Sequence, residues 1–130
     1  MEAVGGVIGD IGGAIGDILV PSQGGATRIV LDSISSSVSE GTIIVFTGQL
    51  FASNNIGLAG ASINIYDDDP IAFDDLIVTG TTDQDGRFRM TWSAKTMDTW
   101  PDSSVEIYAS FEGTNAYSSS TSIKYTIEIQ

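Results

Sequence analysis

From residue 27 to residue 130, short runs of β-branched and aromatic residues alternate with clusters of glycine, asparagine, aspartate and serine. The runs suit a pleated, half-buried backbone and the clusters suit turns. The pattern predicts strands at Thr27 to Leu31, Thr42 to Phe51, Ala61 to Tyr66, Leu76 to Gly80, Arg87 to Trp92, Val105 to Phe111 and Ser122 to Ile129. Several of these runs alternate with period two, which sends one set of side chains to a core and the other to water. Ile63 and Ile65 alternate with Ser62, Asn64 and Tyr66, and Phe88, Met90 and Trp92 with Arg87, Arg89 and Thr91. Ile123, Tyr125, Ile127 and Ile129 likewise fall on one face, with Lys124, Thr126 and Glu128 on the other. Turns are expected at Ser53-Asn54-Asn55, Asp83-Gln84-Asp85-Gly86 and Gly113-Thr114-Asn115, where glycine and asparagine tolerate positive φ.

About seven strands in about a hundred residues is the count of an all-β, Ig-like antiparallel β-sandwich. The chain's length supports one such core, because halving it would leave too little apolar surface for each part.

Residues 1 to 26 follow a different rule. Gly5-Gly6-Val7-Ile8-Gly9-Asp10-Ile11 is followed directly by Gly12-Gly13-Ala14-Ile15-Gly16-Asp17-Ile18, the same seven-residue unit with one change. On a helical wheel Val4, Val7, Ile8, Ile11, Ala14, Ile15, Ile18 and Leu19 share one arc of about 140°. Six glycines inside such a helix would cost about 1 kcal/mol each relative to alanine, so the segment needs a neighbour to hold it. Val4, Ile8, Ile11, Ile15 and Ile18 have the four-three spacing of a coiled-coil seam. Pro21 ends the element. The expected organisation is a glycine-rich assembly segment at 1–20, a linker at 21–26 and the sandwich at 27–130.

Charge narrows the partners. Seventeen acidic residues stand against Arg28, Arg87, Arg89, Lys95 and Lys124, for a formal net charge of -12. Such a surface repels phosphate backbones and anionic headgroups, so nucleic acid and electrostatic membrane binding are not expected. There is no cysteine and no histidine. The usual general base, the thiol nucleophile and the preferred zinc ligands are therefore missing. The chain starts Met1-Glu2-Ala3-Val4, with an acid where a secretory leader would carry a cation, so no signal peptide is expected here.

Three features remain as candidate chemistry. Asp67, Asp68, Asp69, Asp74 and Asp75 crowd one loop, and several carboxylates together suit Ca²⁺, although the spacing is not that of an EF-hand. Asp83-Gln84-Asp85-Gly86 starts like a calcium loop but is followed too soon by a strand, which favours a hairpin turn. Trp100, between Asp98-Thr99 and Pro101, is the aromatic residue best placed in a loop to touch a ligand. Carboxylate pairs carry no catalytic signal, because close pairs arise by chance among 17 acids in a chain too small to build a groove around them, and Ser93 near Lys95 has neither a third group nor an oxyanion motif beside it.

Two stretches carry a resemblance to known families. Gly57-Leu58-Ala59-Gly60-Ala61-Ser62-Ile63-Asn64-Ile65-Tyr66, followed by Gly80-Thr81-Thr82-Asp83-Gln84-Asp85-Gly86-Arg87-Phe88, resembles prealbumin-like and carboxypeptidase regulatory-like β-sandwiches. Ile107-Tyr108-Ala109-Ser110-Phe111-Glu112-Gly113-Thr114-Asn115-Ala116-Tyr117-Ser118-Ser119-Ser120 is similar to the end of Ig-like domains in archaeal and bacterial surface proteins. The resemblance covers residues 57 to 130 and implies a non-catalytic module of adhesins, surface layers or appendages, placed outside the cell or at its surface.

The expectation is thus a structural subunit of an appendage, filament or virion. It would associate with copies of itself through Val4, Val7, Ile8, Ile11, Ile15, Ile18 and Leu19, as a helical bundle or as a donated strand. The alternative is an adhesion module that binds carbohydrate or calcium through Trp100 and the Asp67 to Asp75 loop. Insertion of the N-terminus in a membrane is disfavoured, since Asp10 and Asp17 would each cost about 2.5–3.5 kcal/mol near a helix centre.

Overall fold

The computed structural model describes residues 25–68, 73–95 and 104–130. The described residues form nine strands and no helix. They are β1 (Thr27–Leu31), β2 (Ser37–Val38), β3 (Ile43–Ala52), β4 (Ser62–Asp67), β5 (Asp75–Thr81), β6 (Arg87–Ser93), β7 (Ser104–Phe111), β8 (Ser120–Thr121) and β9 (Tyr125–Ile129). Two sheets result. One has the order β1-β3-β6, and the other runs β2-β9-β7-β4-β5 with β8 also on β7. The pairings are antiparallel except β2 with β9, where Ser37 lies opposite Glu128 and Val38 opposite Ile129. All seven expected strands are present; the two-residue strands β2 and β8 were too short to leave a periodic signal.

The inward positions of both sheets form one apolar core, as a sandwich requires. Ile29, Leu31, Ile44, Phe46, Leu50, Phe88 and Met90 come from the three-stranded sheet. Ile63, Ile65, Val105, Ile107, Ala109, Phe111, Ile127 and Ile129 come from the other. Trp92 is half-buried and stacks on Phe46, with ring centroids 6.3 Å apart. Tyr125 ties the sheets together from their rim, its hydroxyl donating to the Leu31 carbonyl at 2.9 Å.

The expectation for Ile123 is corrected: it is 69% exposed. Tyr125 sits opposite Ile107, and Thr121 opposite Ser110. Four residue steps on this side therefore face three on β7, and the extra residue reverses the inside-outside alternation. Ser122 holds the irregularity. Its hydroxyl accepts the Ala109 N–H at 2.9 Å and donates to the Ile123 carbonyl at 2.8 Å.

The two parts of the prealbumin-like resemblance, Gly57 to Tyr66 and Gly80 to Phe88, meet at the corner where the chain crosses from β5 to β6. Thr82 is buried there. Its hydroxyl donates to the Leu58 carbonyl at 2.6 Å and accepts the Ala61 N–H at 2.8 Å. Asp83 accepts the N–H groups of Asp85 (2.8 Å) and Arg87 (3.0 Å), and Gly86 takes φ 80°. The expected tight turn is present and occupies the carboxylate of Asp83 with backbone, but it is not a hairpin, because β5 and β6 belong to different sheets.

Gly25, inside the expected linker, already belongs to the sandwich. Its N–H donates to the Ala116 carbonyl, and the Ser118 N–H donates to its own carbonyl, both at 2.9 Å.

Two glycines make the packing testable. A Cβ on Gly48 would overlap the Val30 carbonyl oxygen and the Phe88 ring, neither of which can move freely. On Gly80 it would meet only the Met90 side chain, at 2.7 and 2.8 Å, which is flexible. Gly48→Ala is expected to lower unfolding free energy by roughly 1–3 kcal/mol. Gly80→Ala should cost visibly less in the same denaturant titration.

Candidate functional site

The outward face of the six-stranded sheet carries a patch of aromatic and acidic side chains, assembled by register. Tyr66 on β4 lies directly opposite Tyr108 on β7, and Asn64 opposite Ser110. The two tyrosine rings stack at 5.5 Å between centroids and 27° between planes. Both are half-buried, since each occupies an outward position between inward neighbours.

Hydrogen bonds fix the patch. Tyr66 donates to Glu112 at 3.2 Å, Ser110 donates to the same carboxylate oxygen at 3.1 Å, and Asn64 donates to the Tyr66 hydroxyl at 3.3 Å. Thr79 on β5 donates to Asn64 at 2.8 Å. Tyr108 donates to Asp74 in a short hydrogen bond. The Lys124 ammonium pairs with Asp68 at 2.7 Å and lies 5.7 Å from the Tyr108 ring centroid. A groove of about 510 Å³ runs over this face, lined by Tyr66, Phe73, Asp74, Tyr108, Ser110, Glu112 and Thr121. Phe73 is 95% exposed.

Burial, the Asp74 hydrogen bond and the negative charges of Asp74 and Asp68 together push the Tyr108 phenol well above its usual pKa of 10.0. The Asp68 carboxylate also holds the Lys124 ammonium in its charged form, raising its pKa. The patch thus offers aromatic faces and carboxylate acceptors, which suits hydroxyl donors and cations.

The described aspartates of the acidic stretch have individual partners. Asp67 is buried at the end of β4 and accepts the Glu106 N–H at 3.0 Å. Asp68 faces Lys124, Asp74 faces Tyr108, and Asp75 opposes Asp67 in the β4–β5 ladder. Among the described residues, no group of three or more acidic side chains is arranged to hold a metal ion. Asp69 and Trp100 lie outside the described residues, as do Val4, Val7, Ile8, Ile11, Ile15, Ile18 and Leu19. Sequence reasoning missed Phe73 and Glu112. For Tyr66 the signal was available, because it falls on the polar phase of its strand.

A second cleft, of about 550 Å³, opens where β5 and β6, the edge strands of their sheets among the described residues, approach each other. Leu76, Ile77 and Trp92 form its apolar wall, with Glu40, Gly41, Ser93, Ala94 and Lys95 around them.

No protein-family model matches this chain, and no curated protein matches it. Among solved structures it is similar to a beta-glucosidase from Listeria innocua in complex with glucose, at 12% identity and a TM-score of 0.46. It is also similar to the beta-glucosidase from Listeria innocua in complex with isofagomine, at 11% identity and a TM-score of 0.46. Each match covers 79% of this chain and 16% of the other.

The Tyr108 environment predicts an alkaline signature. Folding holds this phenol neutral, so its stabilising contribution is complete below pH 10 and is lost as pH climbs beyond that into the range of the raised folded value. An absorbance titration of tyrosinate should show a late-ionising step that Tyr108→Phe removes.

Proposed function

We propose that this chain is a non-catalytic structural subunit, an Ig-like module that joins end to end with copies of itself through its N-terminal segment, as in a surface appendage, filament or virion. The strand order supports the Ig-like reading: β1-β3-β6 takes the places of strands A, B and E, and β5-β4-β7-β9 those of C′, C, F and G.

The observation that carries the assembly reading is the placement of two ends. Gly25 enters the sandwich beside the Ala52 end of β3, because Thr27 pairs with Ala52. The Leu76, Ile77 and Trp92 cleft lies at the other end of that strand, where Ile43 pairs with Ser93. Ten residues of β3 separate the two poles by about 30 Å. A segment leaving one pole therefore reaches the opposite pole of a neighbour when copies stack head to tail. The cleft is flanked by the edges of β5 and β6 that carry no partner strand among the described residues, and such edges accept an added strand. The repeated apolar stripe of residues 4 to 19 is the matching donor, whether it extends along an edge or bundles with its equivalents.

A second reading, binding of carbohydrate at the cell surface, draws on the exposed Phe73 beside the Tyr66 and Tyr108 pair, with Asp74 and Glu112 as hydroxyl acceptors. Calorimetry against a panel of oligosaccharides, with and without Ca²⁺, tests it.

The assembly reading is tested by mass. Full-length chain should sediment as oligomers, and removal of residues 1 to 20 should leave a folded monomer. Leu76→Glu should reduce assembly without unfolding the sandwich, because Leu76 is 53% exposed at the cleft. Identical monomers before and after truncation would refute the reading.

A further inference from the structure

The outward face of the three-stranded sheet differs in chemistry from every other surface of the described residues. All three arginines of the chain lie on it: Arg28 opposite Phe51, Arg87 opposite Gln49 and Arg89 opposite Thr47. Arg28 rests over the Phe51 ring at 4.5 Å and donates to Asn55 at 3.3 Å. In a chain of net charge -12, none of the three forms an ion pair among the described residues, where the ion pair present is Lys124 with Asp68. The rest of the face mixes the polar Thr47, Gln49 and Thr91 with exposed apolar side chains, Ile43 at 61%, Val45 at 42% and Val30 at 37%. Asp32 and Asp83 line a groove with Arg87 and Arg89, but they accept from the Thr47 hydroxyl and from the Asp85 and Arg87 N–H groups, which leaves the guanidinium groups open to an acidic partner from outside the subunit.

The opposite outward face has the complementary chemistry. Asp68, Asp74, Glu106, Glu112 and Glu128 lie on or beside it, balanced by Lys124 alone. Glu106 and Glu128 are both exposed and are diagonal neighbours, since Glu106 opposes Thr126 and Glu128 opposes Ser104. Diagonal cross-strand neighbours are about 7–8 Å apart. Arg87 and Arg89, two residues apart on one strand, are about 7 Å apart. Tyr66 and Tyr108 add ring faces of the kind on which guanidinium groups stack.

We propose that the arginine face of one copy docks against the acidic face of the next, side by side. This goes beyond the end-to-end joint above and rests on the reading of the chain as an assembling subunit. The contact uses different surfaces on the two partners, so it is heterologous and does not close on itself. Arg87 and Arg89 lie toward the Gly25 pole, and Glu106 and Glu128 toward the other, so docked copies are shifted along the strands. A three-stranded face of roughly 14 by 30 Å offers about 400 Å² per partner, below the size of a stable pairwise interface. The contact gains its strength by repetition along an assembly.

The test uses full-length chain at about 0.15 M salt, where repulsion between whole molecules is screened beyond about 8 Å but contact pairs are not. Side-by-side association is read by light scattering and negative-stain microscopy, with circular dichroism confirming that each variant is folded. Arg87→Glu with Arg89→Glu, and separately Glu106→Lys with Glu128→Lys, should each weaken lateral association about tenfold or more. The second pair is decisive, because it makes the protein less negative and would strengthen any non-specific association. Mixing the two variants, or combining all four changes, should restore association. Wild-type chains that stay apart laterally, reversals without effect, or a mixture that remains dispersed would overturn the proposal. End-to-end joining, read independently by truncation of residues 1 to 20, would stand or fall on its own.

Discussion

The Thr82 hydroxyl holds the corner on which the architecture turns. It sits where the chain leaves one sheet for the other, and its single oxygen both donates to Leu58 and accepts from Ala61. Backbone bonds extend the joint: Gly60 donates to Thr82, Thr82 to Ala61, Leu58 to Leu50, and Leu50 to Gly86. The end of β3, the start of β4 and the β5–β6 turn are thereby locked together. A buried hydroxyl that satisfies two backbone groups at once leaves both of them unpaired when lost, a penalty larger than the net worth of an ordinary hydrogen bond. Gly57 is part of the same constraint, since a Cβ there would strike the Asp85 carbonyl. The Gly57 to Ala61 and Thr82 to Gly86 parts of the family resemblance are therefore joinery.

With the corner fixed, strand alternation distributes the polar side chains, and the result is a molecule with two unlike outer faces. The same odd-even phase that buries Phe88 and Met90 puts Arg87 and Arg89 outside, and the phase that buries Ile107 and Ala109 puts Glu106 and Tyr108 outside. Charge segregation between the sheets is thus set by the core pattern. The irregularity at Ser122 to Lys124 then brings one cation onto the acidic side, where Lys124 meets Asp68. Because that pair is exposed, its role is to organise the Tyr108 surroundings more than to add stability.

Much of this was legible in the sequence. Runs of β-branched and aromatic residues between turn clusters located the seven longer strands, and Asp83 to Gly86 announced a turn, though not that it would join two sheets. What escaped depends on partners distant in the chain. Ile123 obeys the local alternation perfectly, yet the register against β7 throws it out, and register is a property of two strands together. The aspartates from 67 to 75 look like one cluster when read in order. Strand geometry sends two of them to opposite sides, because Asp67 follows the inward phase of Ile63 and Ile65 while Asp68 follows the outward phase of Asn64 and Tyr66. Glu112 and Phe73 carry no signal alone; they matter only once β4, β5 and β7 lie side by side. The stripe of residues 4 to 19 is clear as a pattern, but the pattern names an apolar seam and leaves its occupant to be found.

The two faces also bear on why such an acidic chain would carry arginine at all. Solubility alone would be served by placing the few cations among the carboxylates, where each would find a partner within its own subunit. Here Lys124 pairs with Asp68 on the acidic face, whereas Arg28, Arg87 and Arg89 are held apart from that face by the thickness of the core, and the nearby Asp32 and Asp83 accept from Thr47 and from backbone N–H groups. Two sheets packed about 10 Å apart, with side chains on both outer surfaces, cannot bring those charges together within one molecule. Attraction between the faces can be realised only between molecules. It favours unlike faces and disfavours like ones, so it selects a direction of stacking as well as a partner. A head-to-tail joint through the N-terminal segment would order copies along one axis, and complementary faces would order them along another. The core alternation that makes the sandwich fold would then also supply the polarity that lets it assemble.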